Sequence, residues 1–389
     1  MSMKKYSPKT YKYTVKSKIL FLYLFCIDIV CKFFKLFLTK KILPKEIKNI
    51  ILANTAHMGD AVYLSYILPE LKKKYPNSNI DILVGSWSET IFNHNPHVNN
   101  IFILDHWKHC RNDKSTIYNF YKYISNFIHQ MFAIRRVPKY DLAVDLYPFY
   151  PNNILFLKLI GSKYVLSYDS SGFGILSDTS TSWIDSEKHT VEYHLDLLKK
   201  ININLTVKNN EQKIFFKKNT IELKNKNLLI SPCSGNTIRE WPCEFFIELI
   251  DAMTNHGYHA YLFGLGEREN GVCSYIERNV GKKEMLVNLC NKLDWNSYLS
   301  YISEGDILLS NESLFAHLGA SLNKKVIMIK SGTTRDSHWR PYSSHSTVVR
   351  YDTHCYPCYN HNGCKQMSCI KKISPKKVGN FILQQCPHN

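Results

Sequence analysis

The stretch NIILANTAHMGDAVYLSYILPELKKKYPNSNIDILV, Asn49–Val84, decides the fold. Asn49–Asn54 is a short, nearly continuous apolar run, the mark of a strand buried on both faces of a parallel sheet. His57-Met58-Gly59-Asp60 is a turn, Ala61–Lys74 reads as a helix, and Asn79–Val84 is a second buried strand. Strand, turn, helix and strand in that order make a βαβ unit, which requires helices covering a parallel sheet.

Working outward, the alternation continues. A short helix near Ser88–Asn93, a strand Asn100–Leu104, a long helix Lys114–Arg135, a strand Asp141–Leu146, a helix Asn153–Ile160 and a strand Lys163–Tyr168 fill the first half. Asp169–Lys188 is rich in Ser, Thr and Gly and reads as a loop, and His189–Lys200 as a helix. Asn202–Lys226 is polar and charged, the composition of a linker. The second half repeats the theme with strands at Asn227–Pro232, Tyr258–Gly264, Met285–Leu289, Asp306–Ser310 and Lys325–Lys330. Helices are expected at Pro242–His256, Glu267–Val280, Trp295–Ser303, Ser313–Leu322 and Pro375–Gln384. The expected architecture is α/β: two doubly wound, Rossmann-like domains facing a cleft, over residues 49–222 and 223–389, after a separate segment 1–48. In such sheets ligands sit beyond the C-terminal ends of the strands.

The charge of +18 in 389 residues points to anionic partners. Its location decides which. Residues 1–48 hold twelve Lys, no Arg and two acids, Asp28 and Glu46, so this segment alone carries +10. It adjoins the apolar stretch Ile19–Leu38, in which Asp28, Lys32 and Lys35 share one helical face. A polar stripe on an apolar helix, flanked by Lys16, Lys18, Lys40 and Lys41, suits an anionic membrane surface better than a bilayer centre. Packing on the protein's own body is the alternative. With the excess charge confined there, and no nucleic-acid motif present, nucleic acid is not an expected partner. Seven of the twelve cysteines are scattered and read as free cytosolic thiols. Cys355, Cys358, Cys364 and Cys369 lie close together, with Cys386 beyond. They form either a structural metal site or a group of packed thiols.

Three strand-to-helix junctions carry residues suited to chemistry. Asp60 follows the first strand, where a carboxylate serves as a general base or as a helix N-cap. The loop SPCSGNTIREWP, Ser231–Pro242, offers hydroxyls, amides and Arg239 to an anion, with Trp241 as a packing anchor. SNESLFAHLGA, Ser310–Ala320, opens a helix whose N-terminus suits a phosphate, with Glu312 and Ser313 at that end and His317 one turn on.

In order and position these segments resemble glycosyltransferase family 9, the ADP-heptose:lipopolysaccharide heptosyltransferases. The resemblance runs from about Lys48 to the C-terminus. It includes the opening stretch, Asn95-Pro96 with Val98, YDLAVDL (Tyr140–Leu146), the loop ending in REWP, FGLGERE (Phe263–Glu269), SNESLFAHLGA, WRPY (Trp339–Tyr342) and the Cys-Pro-Cys segment. It implies the two-domain GT-B fold and an inverting transfer of heptose from ADP-heptose to a lipid-anchored core oligosaccharide, needing no catalytic metal or cofactor. It also implies a peripheral place on the cytoplasmic face of a bacterial inner membrane. By position it makes Asp60 the general base and Arg239 the cation on the departing ADP. Ser234, Gly235 and Ser313 become diphosphate contacts, Glu312 the motif acid near the sugar and His317 the motif's histidine. Glu267 falls near a ribose-contacting acid and Leu293 near an adenine contact. Acceptor contacts are expected from His106–Lys114 and Tyr147–Asn153. Some family members carry similar C-terminal cysteines, and related protein heptosyltransferases hold iron with theirs, so zinc or iron is implied as a structural option. Three positions depart from the pattern: Asn54 for Arg, Glu312 for Asp and Leu314 for Gly. They keep open another donor sugar, a protein acceptor, or a catalytically impaired membrane scaffold.

Overall fold

The computed structural model describes residues 18–35, 41–107, 115–149, 152–170, 172–183, 186–208, 211–360 and 362–385. Lys16, Lys40, Cys110, Cys386 and most of the expected acceptor segment 106–114 lie outside them. Two compact units divide between Phe215 and Phe216, inside an irregular stretch without helix or strand.

A strand buried on both faces must pair all its backbone groups with neighbouring strands. In the N-terminal unit β1 (Asn49–Asn54), β2 (Asn79–Val84), β3 (Ile101–Ile103), β4 (Leu142–Asp145), β5 (Val165–Tyr168) and β6 (Thr179–Thr181) do so in one parallel sheet of order β3-β2-β1-β4-β5-β6. The β1–β4 register places Ala53 opposite Asp145. The helices are α1 (Lys18–Lys35), α2 (Met58–Ser65), α3 (Leu68–Lys74), α4 (Thr116–Ile134), α5 (Asn152–Leu159) and α6 (Thr190–Lys199).

The C-terminal unit repeats the plan. β7 (Asn227–Ser231), β8 (His259–Leu262), β9 (Leu286–Asn288), β10 (Ile307–Ser310), β11 (Lys325–Ile329) and β12 (Ser346–Val349) form a parallel sheet of order β12-β11-β10-β7-β8-β9. The helices are α7 (Cys243–Asn255), α8 (Glu267–Asn279), α9 (Trp295–Glu304), α10 (Leu314–Ser321), α11 (Asp336–Trp339), α12 (Ser368–Lys371) and α13 (Pro375–Gln385). In each sheet the chain winds one way from a central strand, returns, and winds the other way. Each unit is therefore doubly wound, with its switch point between β1 and β4 or between β7 and β10.

Several expectations are corrected. The helix expected over Ala61–Lys74 begins at Met58 and breaks after Ser65, because Pro69 lacks an N–H and crowds the carbonyl four residues earlier. The loop Asp169–Lys188 contains a strand, β6, and β12 was not anticipated. Both are edge strands, short and half-exposed, without the apolar run that marks a central strand. The Asp28 side of α1 faces the protein body: Asp28 is 5% exposed and accepts the N–H of Phe173 at 2.9 Å. No helix among the described residues is long and apolar enough to cross a membrane.

Candidate active site

The switch points bring the sequence candidates to strand ends. In the N-terminal unit β1 leads through Thr55-Ala56-His57 into α2, and Asp60 is the third residue of that helix. It is not the N-cap: His57 holds that position, and its side chain makes no cap hydrogen bond. Burial pushes the Asp60 carboxyl from its ordinary 3.8 to about 6, although the backbone N–H groups of His57 and Asp60 pull the other way. No cation contributes to that balance.

The loops beside Asp60 are pinned by a polar network. Asn54 accepts the N–H of Ala56 at 3.1 Å and donates to the Leu146 carbonyl at 3.4 Å, so the residue in the family's Arg position ties the β1 and β4 loops together. Thr55 donates to Asn153 at 3.0 Å, and Asn153 donates to Asp145 at 2.9 Å. Asp145 also accepts the Tyr147 N–H at 3.0 Å. Its second carboxyl oxygen is buried without a partner among the described residues, and burial raises its pKa to about 7. Sequence reading took Asp145 only as a letter of YDLAVDL. The available signal was an acid inside an otherwise apolar strand.

The C-terminal unit gathers most of the other candidates. Ser234 donates through its hydroxyl to the Glu312 carbonyl at 2.7 Å and through its N–H to Glu240 at 2.7 Å. Arg268 donates to the Ser234 carbonyl at 2.9 Å and to Glu240 at 2.8 Å, fastening the start of α8 to this loop. Trp241 is buried, as expected of an anchor. Its indole N–H donates to the Ile373 carbonyl at 2.8 Å and its backbone N–H to Asn311 at 3.1 Å. Gly235, by contrast, is exposed at the loop tip.

Arg239 stands with its Nε 4.0 Å from a Glu312 oxygen, and that Nε has no hydrogen-bond partner among the described residues. Glu312 is held by Lys330, which is fully buried, and accepts from Ser331 at 2.8 Å. Burial alone would raise the Glu312 carboxyl. Lys330, then Arg239, and the hydrogen bonds from Lys330 and Ser331 outweigh burial and keep it below its ordinary value. Lys330 also donates to Thr334 at 2.8 Å. Sequence reading missed Lys330, which closes the apolar run of β11 and is the charge on which this cluster turns.

Ser313 caps α10, yet its hydroxyl makes no cap hydrogen bond and is buried without a partner among the described residues. A partnerless hydroxyl beside the first amides of a helix is a ready anion site. The helix lies close on the sheet because Gly319 has no side chain: a Cβ there would sit 2.6 Å from Leu308. His317 follows on the same helix. Burial, reinforced by Lys330 and opposed by Glu312, lowers its pKa to about 4, so it is neutral at pH 7. Leu314 is the first residue of α10 and half-buried.

Glu267 and Leu293 stand apart, beyond β8 and β9. Glu267 is exposed at the start of α8, and it is Glu269 that turns back to accept the Leu265 N–H at 2.9 Å. Leu293 is half-buried just before α9. Of the two options left open for Cys355, Cys358, Cys364 and Cys369, the described residues do not supply a metal site. Among the described residues no three His, Cys, Asp or Glu side chains converge on a common point. Cys355 contacts Thr353 and Cys364 contacts Met367, while burial, with Cys358, Cys364 and Cys355 nearby, pushes the Cys369 thiol up. Hollows of about 480 and 570 Å³ lie beside α3 and α6 of the N-terminal unit rather than at a switch point.

The family model for glycosyltransferase family 9 (heptosyltransferase) matches residues 134–368. The chain belongs to glycosyltransferase family 9. It is thus a glycosyltransferase. It is 24% identical over 302 residues to lipopolysaccharide heptosyltransferase 3 of Escherichia coli, covering 74% of this chain and 84% of that one. A family 9 glycosyltransferase structure from Veillonella parvula superposes with a TM-score of 0.71 at 17% identity, over 90% of this chain and all of that one. The E. coli ADP-heptose lipopolysaccharide heptosyltransferase II structure does so with a TM-score of 0.65 at 17% identity, over 87% and 99%. The fold is the GT-B fold of these family 9 enzymes.

Proposed function

We propose that this family 9 enzyme transfers heptose from ADP-heptose, with inversion, to the core oligosaccharide of a lipopolysaccharide or lipooligosaccharide at the cytoplasmic face of a bacterial inner membrane. The donor and acceptor classes follow from the names of its relatives and from the family itself. The observation that supports the mechanism is the place of Asp60 in the first turn of α2, directly after β1, where burial raises its carboxyl to about 6. A base of that pKa is ionised at neutral pH and still basic enough to take a proton from an acceptor hydroxyl as its oxygen attacks the anomeric carbon.

Leaving-group charge is met in the other unit. Arg239 and the Ser313 hydroxyl with the first amides of α10 bind the diphosphate, and the exposed Gly235 loop tip lets it approach. Ser234 is read as shaping this loop, since its hydroxyl donates to the Glu312 carbonyl and its N–H to the Glu240 carboxylate. Glu312 is read as a fixed negative charge near the sugar, held by Lys330. Neutral His317 supports the same wall. Glu267 and Leu293 are read as ribose and adenine contacts further along the sheet. No step in this scheme requires a metal.

The test is a donor screen. Purified protein is incubated with ADP-heptose, and separately with other nucleotide sugars, in the presence of de-acylated core from a heptose-deficient strain. Mass spectrometry should show one heptose added, from ADP-heptose alone. Addition of a different sugar would replace the donor assignment. No addition from any donor would sink the transfer reading in favour of a scaffold.

A further inference from the structure

We propose that the outward faces of α1, α4 and α5 form one lipid-binding surface that seats the N-terminal unit on an anionic bilayer. The chain steps from β3 to β4, β5 and β6 in one direction across the sheet. Right-handed crossovers therefore put α4, α5 and the turn Gly174–Leu176 on the same side. The core agrees: Tyr123 and Phe127 of α4 and Phe156 of α5 pack with Ile51, Ala143 and Val165 of the strands. α1 packs on the Gly174–Leu176 turn, that turn packs on α5, and α5 packs on α4. The three helices are thus one layer.

That layer is apolar on the outside as well as the inside. On α1, Asp28 and Leu24 point to the body, while Leu22, Phe25 and Ile29 are 60%, 46% and 53% exposed. On α4, Tyr121, Ile128 and Phe132 are 73%, 49% and 58% exposed, at the four-residue and seven-residue spacing of a helical stripe. α5 adds Leu159. An amphipathic helix that docks its acid inward and shows its apolar side outward requires an apolar partner. So many exposed apolar side chains on the helices of one layer go well beyond the scattered exposure normal for a soluble surface.

Charge selects lipid as that partner. α4 has no acidic residue; its lysine is Lys122, and Arg135, Arg136 and Lys139 follow directly. The Arg135 guanidinium lies 5.6 Å from the Phe132 ring. Lys32 is exposed on α1, and the segment before β1 is strongly basic. An apolar stripe rimmed by cations matches acyl chains beneath anionic headgroups. A second copy of this +18 chain would set one cationic rim against another. The surface does not depend on which sugar is moved. It goes beyond the basic N-terminal segment by adding α4 and α5 and by fixing which side of α1 meets lipid.

The experiment is flotation of the full-length chain with phosphatidylethanolamine:phosphatidylglycerol vesicles and with pure phosphatidylcholine vesicles. The wild type should float with the anionic vesicles and weakly with the neutral ones. The pairs Phe25→Glu with Ile29→Glu, and Ile128→Glu with Phe132→Glu, should each weaken that binding about tenfold, with unchanged circular dichroism. An Ile128→Trp variant supplies a readout that needs no loss of function: its emission should shift to the blue on anionic vesicles relative to wild type. A wild type that does not float overturns the proposal, as does a folded Ile128→Glu/Phe132→Glu pair that floats normally or an Ile128→Trp variant without the shift. A dimer that the α4 pair dissociates, without vesicle binding, assigns the face to protein instead. Turnover on de-acylated core, measured alongside, should be unchanged in every variant. Its absence in wild type would count against the sugar-transfer reading and leave the flotation result standing.

Discussion

Asp60, in the first turn of α2, and Glu312, in the loop after β10, each follow a switch-point strand, and burial pushes both carboxyls upward. They end on opposite sides of the ordinary range. Asp60 is opposed only by backbone N–H groups among the described residues and rises to about 6, whereas Glu312 meets Lys330, Arg239 and Ser331 and falls. The difference is one of partners, not of depth. A buried carboxyl left without a cation is a proton acceptor in waiting, and one given two cations is a permanent charge around which a loop is built. The acid proposed as the base and the acid tied into a cation cluster thus belong to different units.

The sharpest way to break this contrast is to remove the reactive acid. Asp60→Asn keeps the shape and the hydrogen-bond acceptor but cannot take a proton. Its kcat should fall by about 10²–10⁴, while ADP binding, measured by calorimetry, stays within twofold because the donor residues lie in the other unit. Residual turnover near the wild-type level would mean that Asp60 is not the base, and Asp145, with a pKa near 7 on the neighbouring strand, would be the next residue to change.

The second way acts on Glu312 by taking away its cation. Lys330→Met fills the same volume without charge and leaves a buried carboxylate facing only Arg239 at 4.0 Å and Ser331 at 2.8 Å. Removing one partner of a buried pair costs about 3–5 kcal/mol, so the urea midpoint should drop sharply at pH 7.5. Adding Glu312→Gln should restore most of that loss, because the orphaned charge is then gone. A Lys330→Met variant as stable as wild type would show that the pair is not the support described here.

How much of this could be read in advance follows the same physics. The β1–α2–β2 unit was legible because central strands are apolar runs and a Gly-Asp turn interrupts them at the right place. Asp60, Arg239, Glu312 and Ser313 could be nominated because doubly wound sheets put ligands at strand ends, and because their order resembles family 9; the structure places Asp60 and Ser313 in the segments that follow such strands. Two of the four edge strands were not legible: Thr179–Thr181 and Ser346–Val349 are half-solvated, and their composition is that of loops. Lys330 and Asp145 were missed because a single charge closing or interrupting an apolar run looks incidental until its partners are seen. The attitude of α1 was also hidden. Periodicity places Asp28 and Lys32 on one stripe, but only the Phe173 N–H shows that Asp28 faces inward.

The finest test uses pH to read the two acids separately. Asp60 has a folded pKa of about 6 against an ordinary 3.8, so the folded state holds its proton more tightly than the unfolded chain does. Its favourable contribution is complete below about pH 4 and is lost as pH rises through 6. Glu312, held below its ordinary value, works the other way: its contribution is present above the unfolded pKa and is lost as pH falls through the folded one. Asp60→Asn should therefore be more stable than wild type by about 1–3 kcal/mol at pH 8, allowing for the partial exposure of the residue, and the gap should close toward pH 4. Wild-type kcat/KM should rise through about pH 6 as the same carboxyl ionises, so the limb that brings activity is the limb that costs stability. Thermal melts of both proteins from pH 4 to 8, set beside the activity profile, would separate the two acids. An Asp60→Asn variant that gains nothing at pH 8 would mean that Asp60 is solvated, and the contrast with Glu312 would collapse.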